Sequence, residues 1–267
     1  MSPPYSIFDF KNALLATVLL YLAALLLECF RFIFKHKKAA SPSFKMILAA
    51  LLVHFGLLMS HFSAQGYPFF RSSFDTYQVL SLTLVVVYLL LSHYFPIAIL
   101  GLLVLPTVLC FFVLSLTYHQ AWMITESLLN NTWAFLHLLF VFVSLAIFTM
   151  SLLTGLAYLF QEYRLKAKKW GTWMDKLPAL EVLDRVHYRA LYIGFIFFTV
   201  GIVMGGGWSK SVTGYYVTGG VKQMLSLGVW IFLALLINLR VSQGWLGRKG
   251  ILLAFVGFIG LLGVLLG

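Results

Sequence analysis

Apolar residues come in long runs along this chain, and short polar stretches separate the runs. Eight of them reach or approach the ~20 residues that a helix needs to cross about 30 Å of hydrocarbon: 13–34, 45–63, 77–94, 96–118, 132–158, 188–208, 219–239 and 250–266. The third and fourth are parted only by SHYFP, where Pro96 gives a restart signal for a new helix. The pattern predicts an all-α integral membrane protein, a bundle of about eight transmembrane helices. Residues 1–44 read as a first transmembrane helix with a basic cytoplasmic loop, and 45–267 as a single membrane bundle. The first run is long, has only Lys11 as a cation before it and lacks a small-x-small cleavage site, so it reads as a retained span rather than a signal peptide.

The polar stretches predict connectors. The longest, about 161–187, contains Pro178 and many charges, and its LEVLDRVHYRAL segment predicts a short amphipathic helix. The stretch GWSKSVTGYYVTGGVKQ, 207–223, is rich in glycine, aromatics and hydroxyls and predicts a loop between the sixth and seventh spans.

Composition agrees with the runs: 61% of residues are hydrophobic and 10% charged, with a mean hydropathy of +0.96, far from the roughly 25% charged residues of soluble domains. A net charge of +11 in a soluble chain would suggest nucleic acid. Here the cations cluster between spans, so the partner they imply is membrane lipid and not nucleic acid. Fifteen of the 19 Lys and Arg fall in the connectors after the first, fifth and seventh runs; Lys11, Arg71, Lys210 and Lys222 fall on the other side. The positive-inside rule then puts the basic loops in the cytoplasm and both termini on the outer side of a cell inner membrane. Trp122, Trp133, Trp170, Trp173, Trp208 and Trp245 all lie near span ends, as an aromatic belt requires. Cys29 and Cys110 lie in apolar runs without a CxxC or CxxCH pattern and read as small buried hydrophobes.

An ionisable residue at membrane depth is costly, and each one is a functional candidate. His54 lies mid-span in ILAALLVHFGLLMSHFSA, His61 two turns further along the same face, and His137 one turn into the fifth span. Glu28 and Arg31, three residues apart, can pair with each other. A neutral imidazole is a good ligand for haem iron, and two from different helices can clamp it, which makes His54 and His137 candidate metal ligands. The alternative for each is one hydrogen bond to a neighbouring helix. His119, in an outer loop, is a further candidate ligand, while His36, His93 and His187 read as solvated near the cytoplasmic face. No GxxxxGK[ST], HExxH or paired intramembrane carboxylates occur, and the GxxxG-like spacing of Gly201 and Gly205 reads first as a packing surface.

The order of these features resembles the cytochrome c assembly family, the CcsA, CcmC and HemX group. The resemblance runs from about residue 45 to 267. The His54 span is followed by GYPF and SSFDTY; TWAFLHLLFVFVSLAIFTMSLLTGLAYLFQEYRLKAKK is similar to the family's histidine-YLLQE-LK segment; LPALEVLDRVHYRALYIGFIFFTVGIVMGGGW is similar to its next segment, with His187 where asparagine is common; and INLRVSQGWLGRKGILLAFVGFIGLL looks like its last two helices.

The resemblance implies haem b, held non-covalently near the outer surface under a tryptophan-rich loop, with outer and intramembrane histidine ligands. By position, His137 matches the first outer histidine and His54 the first intramembrane one. Asn238 stands where the second intramembrane histidine is usual, and the chain stops at GVLLG before the place of the second outer one. The haem-holding loop corresponds to 215–223, which keeps Tyr215, Tyr216 and Lys222 but not the tryptophans, a departure nearest the HemX or YpjD-like branch. The implied function is an accessory haem-handling protein of cytochrome c biogenesis that is not by itself a haem lyase. Its partners would be other biogenesis subunits or an apocytochrome. The alternative is a non-haem scaffold or regulator, such as a HemX-like modulator of tetrapyrrole synthesis or a subunit of a larger complex, working through the basic loop 164–176. A lipid or small-solute carrier is a third reading.

Overall fold

The structure, a computed structural model, describes residues 7–34, 40–65, 72–94, 98–117, 131–168, 177–243 and 247–266. Among them eight helices form and no strand: α1 (Ile7–Phe34), α2 (Ala40–Gln65), α3 (Ser73–Tyr94), α4 (Ala98–Thr117), α5 (Thr132–Lys166), α6 (Leu180–Thr213), α7 (Val221–Gln243) and α8 (Arg248–Leu266). Each corresponds to one of the eight apolar runs. Seven are long and apolar enough to cross a membrane, and α8 has 19 residues. The break between α3 and α4 falls where SHYFP predicts it; Pro96 itself lies outside the described residues.

Two expectations are corrected. LEVLDRVHYRAL is no separate helix but the first turns of α6, because its buried stripe of Leu183, Val186 and Ala190 runs on without a break into Leu191, Gly194 and Phe198. Likewise GWSKSVT belongs to α6, which ends only at Gly214, whose φ of +82° and N–H to the Lys210 carbonyl form a left-handed cap. The expected loop therefore shrinks to 214–220. At 35 and 34 residues, α5 and α6 are each about 50 Å long and outrun the hydrocarbon thickness.

The chain divides into two compact units, Met1–Leu129 and Asn130–Gly267. In the first, α1 packs on α2 and α4, and α3 closes the ring against both. Its core holds Tyr21, Ile47, Leu58, Leu84, Leu105 and Phe112. In the second, α5 and α6 form the main pair, with α7 and α8 completing a ring. Cys110 is exposed and Cys29 half-buried, against the expectation of burial; a thiol facing hydrocarbon carries no desolvation cost that would force it inward.

Side-chain-to-carbonyl bonds cross the α5–α6 seam, and three of them, all from α5 to α6, form a ladder. His137 Nδ1 donates to the Gly201 carbonyl at 2.7 Å, Ser144 Oγ to that of Gly194 at 3.1 Å, and Ser151 Oγ to that of His187 at 3.0 Å. Donors and acceptors each repeat every seven residues and run in opposite directions, the signature of an antiparallel seam with a 3.5-residue period. Glycine at two of the three acceptor positions lets the backbones approach.

Candidate functional site

The candidate histidines fall into two kinds of environment. In the first unit, His54 is fully buried. The Tyr21 hydroxyl lies 3.2 Å from its Nδ1, and its Nε2 lies 2.9 Å from Gln78 Oε1. The Gln78 amide nitrogen donates to Ser115 Oγ at 2.9 Å, and Ser115 Oγ donates to the Phe112 carbonyl at 2.7 Å. That carbonyl can only accept, and the direction it imposes runs back through the chain: Gln78 Oε1 accepts, Nε2 of His54 carries the hydrogen, and Tyr21 donates to Nδ1. All four helices described in this unit contribute, and both imidazole nitrogens are occupied.

Two further polar groups lie in the same unit. At one end, His61 Nε2 is 3.1 Å from the buried Asp75 carboxylate, and Asp75 and Ser72 cap α3 reciprocally through their backbone N–H groups. Phe10 stacks on the His61 ring. At the other end, Glu28 pairs with Arg31 at 3.1 Å, as their spacing suggests, and accepts from Ser43 Oγ. A Cβ at Gly101 would come within 2.8 Å of the Tyr88 hydroxyl, so glycine is what admits this cluster.

In the second unit the histidines are left open. The Gly201 carbonyl can only accept, so His137 carries its hydrogen on Nδ1, and its Nε2 keeps a lone pair with no hydrogen bond among the described residues. The Trp208 ring lies beside it at 5.9 Å between centroids, with an indole N–H that is buried and unpaired among the described residues. A Cβ at Gly205 would sit 2.8 Å from His137 Nδ1, and one at Gly207 2.6 Å from the Trp133 ring. The bland reading of the glycines and the functional reading of His137 thus meet: the small residues are the bed on which the ring lies.

His187 is not solvated as expected but fully buried. Its Nδ1 donates to the Ser151 carbonyl at 2.7 Å with Ser151 Oγ 3.0 Å away, and its Nε2 has no partner among the described residues. One turn away, Asp184 binds Arg240 at 2.6 Å with one oxygen and the Gly247 N–H at 3.1 Å with the other, while Arg240 lies 3.8 Å over the Tyr188 ring. This anchor joins α6 to α7 and to the turn before α8. The LD, the YR tyrosine and the R of INLR are therefore a packing device. The sequence signal for it was an Asp and an Arg, of opposite charge, near the facing ends of neighbouring spans.

The 214–220 turn satisfies itself. Gln223 accepts from the Thr218 N–H at 2.8 Å and donates to the Tyr216 carbonyl at 2.9 Å, and Ser209 donates to the Tyr215 carbonyl at 2.9 Å. Tyr215 and Tyr216 stay exposed; Lys210 Nζ donates to the Tyr216 hydroxyl at 3.1 Å, and Lys222 is exposed. His119, Trp170 and Trp173 lie outside the described residues. Among the described residues no cluster of three His, Cys, Asp or Glu side chains forms a metal cage. As a test of fit to haem, His137 presents the donor that iron takes, with its other nitrogen on a backbone carbonyl, the usual arrangement of a metal-bound imidazole. His54, as placed, presents none.

Comparison with known proteins agrees with this architecture. The cytochrome C assembly protein family matches residues 13–267, so the likeness extends through α1 as well. The cytochrome c biogenesis protein CcsA of Mesostigma viride is 24% identical over 241 residues, covering 81% of this chain and 77% of that protein. That of Chlamydomonas reinhardtii is 27% identical over 233 residues, covering 84% of this chain and 64% of that protein, so the chain spans somewhat less than two thirds of this relative. That of Gloeobacter violaceus is 36% identical over 89 residues, a third of this chain. With the match covering nearly every residue and the eight helices in the expected order, the chain belongs to the cytochrome c assembly protein family.

Proposed function

We propose that this protein handles haem b non-covalently during cytochrome c biogenesis, as an accessory to haem delivery and not as a complete haem lyase. The observation that carries the reading is the His137 imidazole, fixed by Gly201 with Nε2 open. Bound there, haem would supply an iron centre that takes the Nε2 electron pair. Trp208 packs beside the imidazole, exposed Tyr215 and Tyr216 offer rings to a porphyrin edge, and Lys210 and Lys222 offer charge to its propionates. The His54 lone pair on Nδ1 is taken by the Tyr21 hydroxyl and becomes available to a metal only when that bond is released. In this reading both termini face the outer side of a cell inner membrane, where α5 begins and the 214–220 turn lies; a C-terminal alkaline phosphatase fusion is then active.

Titrating the detergent-solubilised protein with haemin tests it. A Soret band that the His137→Ala variant lacks is the expected result; no band in the wild type overturns it. A second reading, a non-haem scaffold or a HemX-like regulator of tetrapyrrole synthesis, draws on the closed bonding of His54 and the self-satisfied turn. It predicts no band and capture of a partner through the basic connector 164–176.

A further inference from the structure

His187 repeats the construction of His137 at the other end of the α5–α6 seam. In both, Nδ1 donates 2.7 Å to a main-chain carbonyl of the opposing helix, Gly201 in one case and Ser151 in the other. For His137 the carbonyl has no hydrogen to give, so in the neutral ring Nδ1 carries it and Nε2 is the acceptor. At His187 the Ser151 Oγ also lies 3.0 Å from Nδ1, but its hydrogen goes to the His187 carbonyl, and the shorter contact to the Ser151 carbonyl assigns the ring hydrogen to Nδ1 there as well. The seven-residue ladder sets this choice, because Ser151 Oγ donates to the His187 carbonyl and locks the rung from the other side. His187 is fully buried and its Nε2 unpaired among the described residues. Beside it lies a cavity of about 10 Å³, lined by Phe148, Ser151, Leu233, Ala254 and Phe258 together with His187 itself. An unpaired buried acceptor costs on the order of 1–3 kcal/mol, and a cavity of ~10–15 Å³ admits one water.

We propose that His187 is a second open-imidazole site, built by the same seam as His137, and that it binds a single neutral hydrogen-bond donor of water's size. Size excludes a porphyrin, and the apolar lining excludes an ion. The ligand site and the tautomer are one device: had His187 been protonated on Nε2, Nδ1 would face a carbonyl with no hydrogen between them.

The inference does not depend on haem, and the experiment adds none. Nitrogen-15 NMR of protein labelled at histidine, with each ring assigned through its own His→Ala loss, reads the tautomers directly. His137 and His187 are expected as Nδ1–H and His54 as Nε2–H. Magnetisation transfer from water should reach the His187 Nε2, and filling the cavity with Ala254→Leu should remove that transfer while leaving its Nδ1–H signal in place. Gly205→Ala, which presses on His137 Nδ1, should change the His137 tautomer alone, with His187 as the internal control. An Nε2–H signal for His187, or no transfer from water in the wild-type protein, overturns the proposal, and both are read on the wild-type protein. A haemin titration without a band leaves this result intact and sinks only the haem reading.

Discussion

His54 and His137 look alike in sequence, each a lone histidine in an apolar run, yet the two units treat them in opposite ways. The first unit surrounds His54 with Tyr21, Gln78 and Ser115 from three other helices, so that both nitrogens are bound and the hydrogen sits on Nε2. The second unit gives His137 one backbone carbonyl, and gives His187 another, which puts the hydrogen on Nδ1 and leaves Nε2 open. A closed imidazole adds to stability and specifies how four helices pack. An open one holds back bonding capacity that a ligand can use. Burial of a histidine is thus no guide to its function; the count of occupied nitrogens is.

The largest expected effect probes what holds the open unit together. Arg240→Ala leaves the Asp184 carboxylate buried with only the Gly247 N–H, and should cost about 3 kcal/mol, seen as a lower unfolding midpoint in detergent. A loss near zero would mean that the start of α6 and the end of α7 are held by packing alone. Next comes the closed histidine: His54→Leu strands the Tyr21 hydroxyl and the Gln78 carbonyl, a loss of about 2–3 kcal/mol, and adding Gln78→Leu should return part of it in a double-mutant cycle. His137→Ala removes one hydrogen bond, about 1 kcal/mol by the same unfolding assay, while abolishing the Soret band. If His54→Leu rather than His137→Ala removed the band at unchanged stability, the assignment of closed and open would be reversed. Smallest of all, Tyr215→Ala with Tyr216→Ala should change stability by no more than about 0.5 kcal/mol, since both rings are exposed, while weakening haemin binding in the titration.

Much of the fold was legible because a bilayer imposes a length. Every one of the eight runs became a helix, and the spacing of Glu28 and Arg31 correctly paired them. The errors lie at the ends. α6 absorbs both an expected amphipathic helix and half of an expected loop, because hydropathy falls off where a helix leaves hydrocarbon although its hydrogen bonds and buried stripe continue. His187 was misjudged for the same reason: its neighbours Asp184, Arg185 and Arg189 look like solvated connector, but the stripe of Leu183, Val186 and Ala190 turns His187 inward. One signal was present and unused. His137, Ser144 and Ser151 repeat every seven residues, as do His187, Gly194 and Gly201, and the two repeats run in opposite directions.

Sequence by itself determined the class, the number and order of helices and the positions of the histidines within them, since apolar length and charge placement act locally against one solvent. The tertiary structure decided which nitrogen of each histidine is open. That choice rests on what the facing helix offers, a glutamine and a tyrosine around His54 or a bare main-chain carbonyl over Gly201, and a carbonyl brought within 2.7 Å by glycine packing is written in no single span.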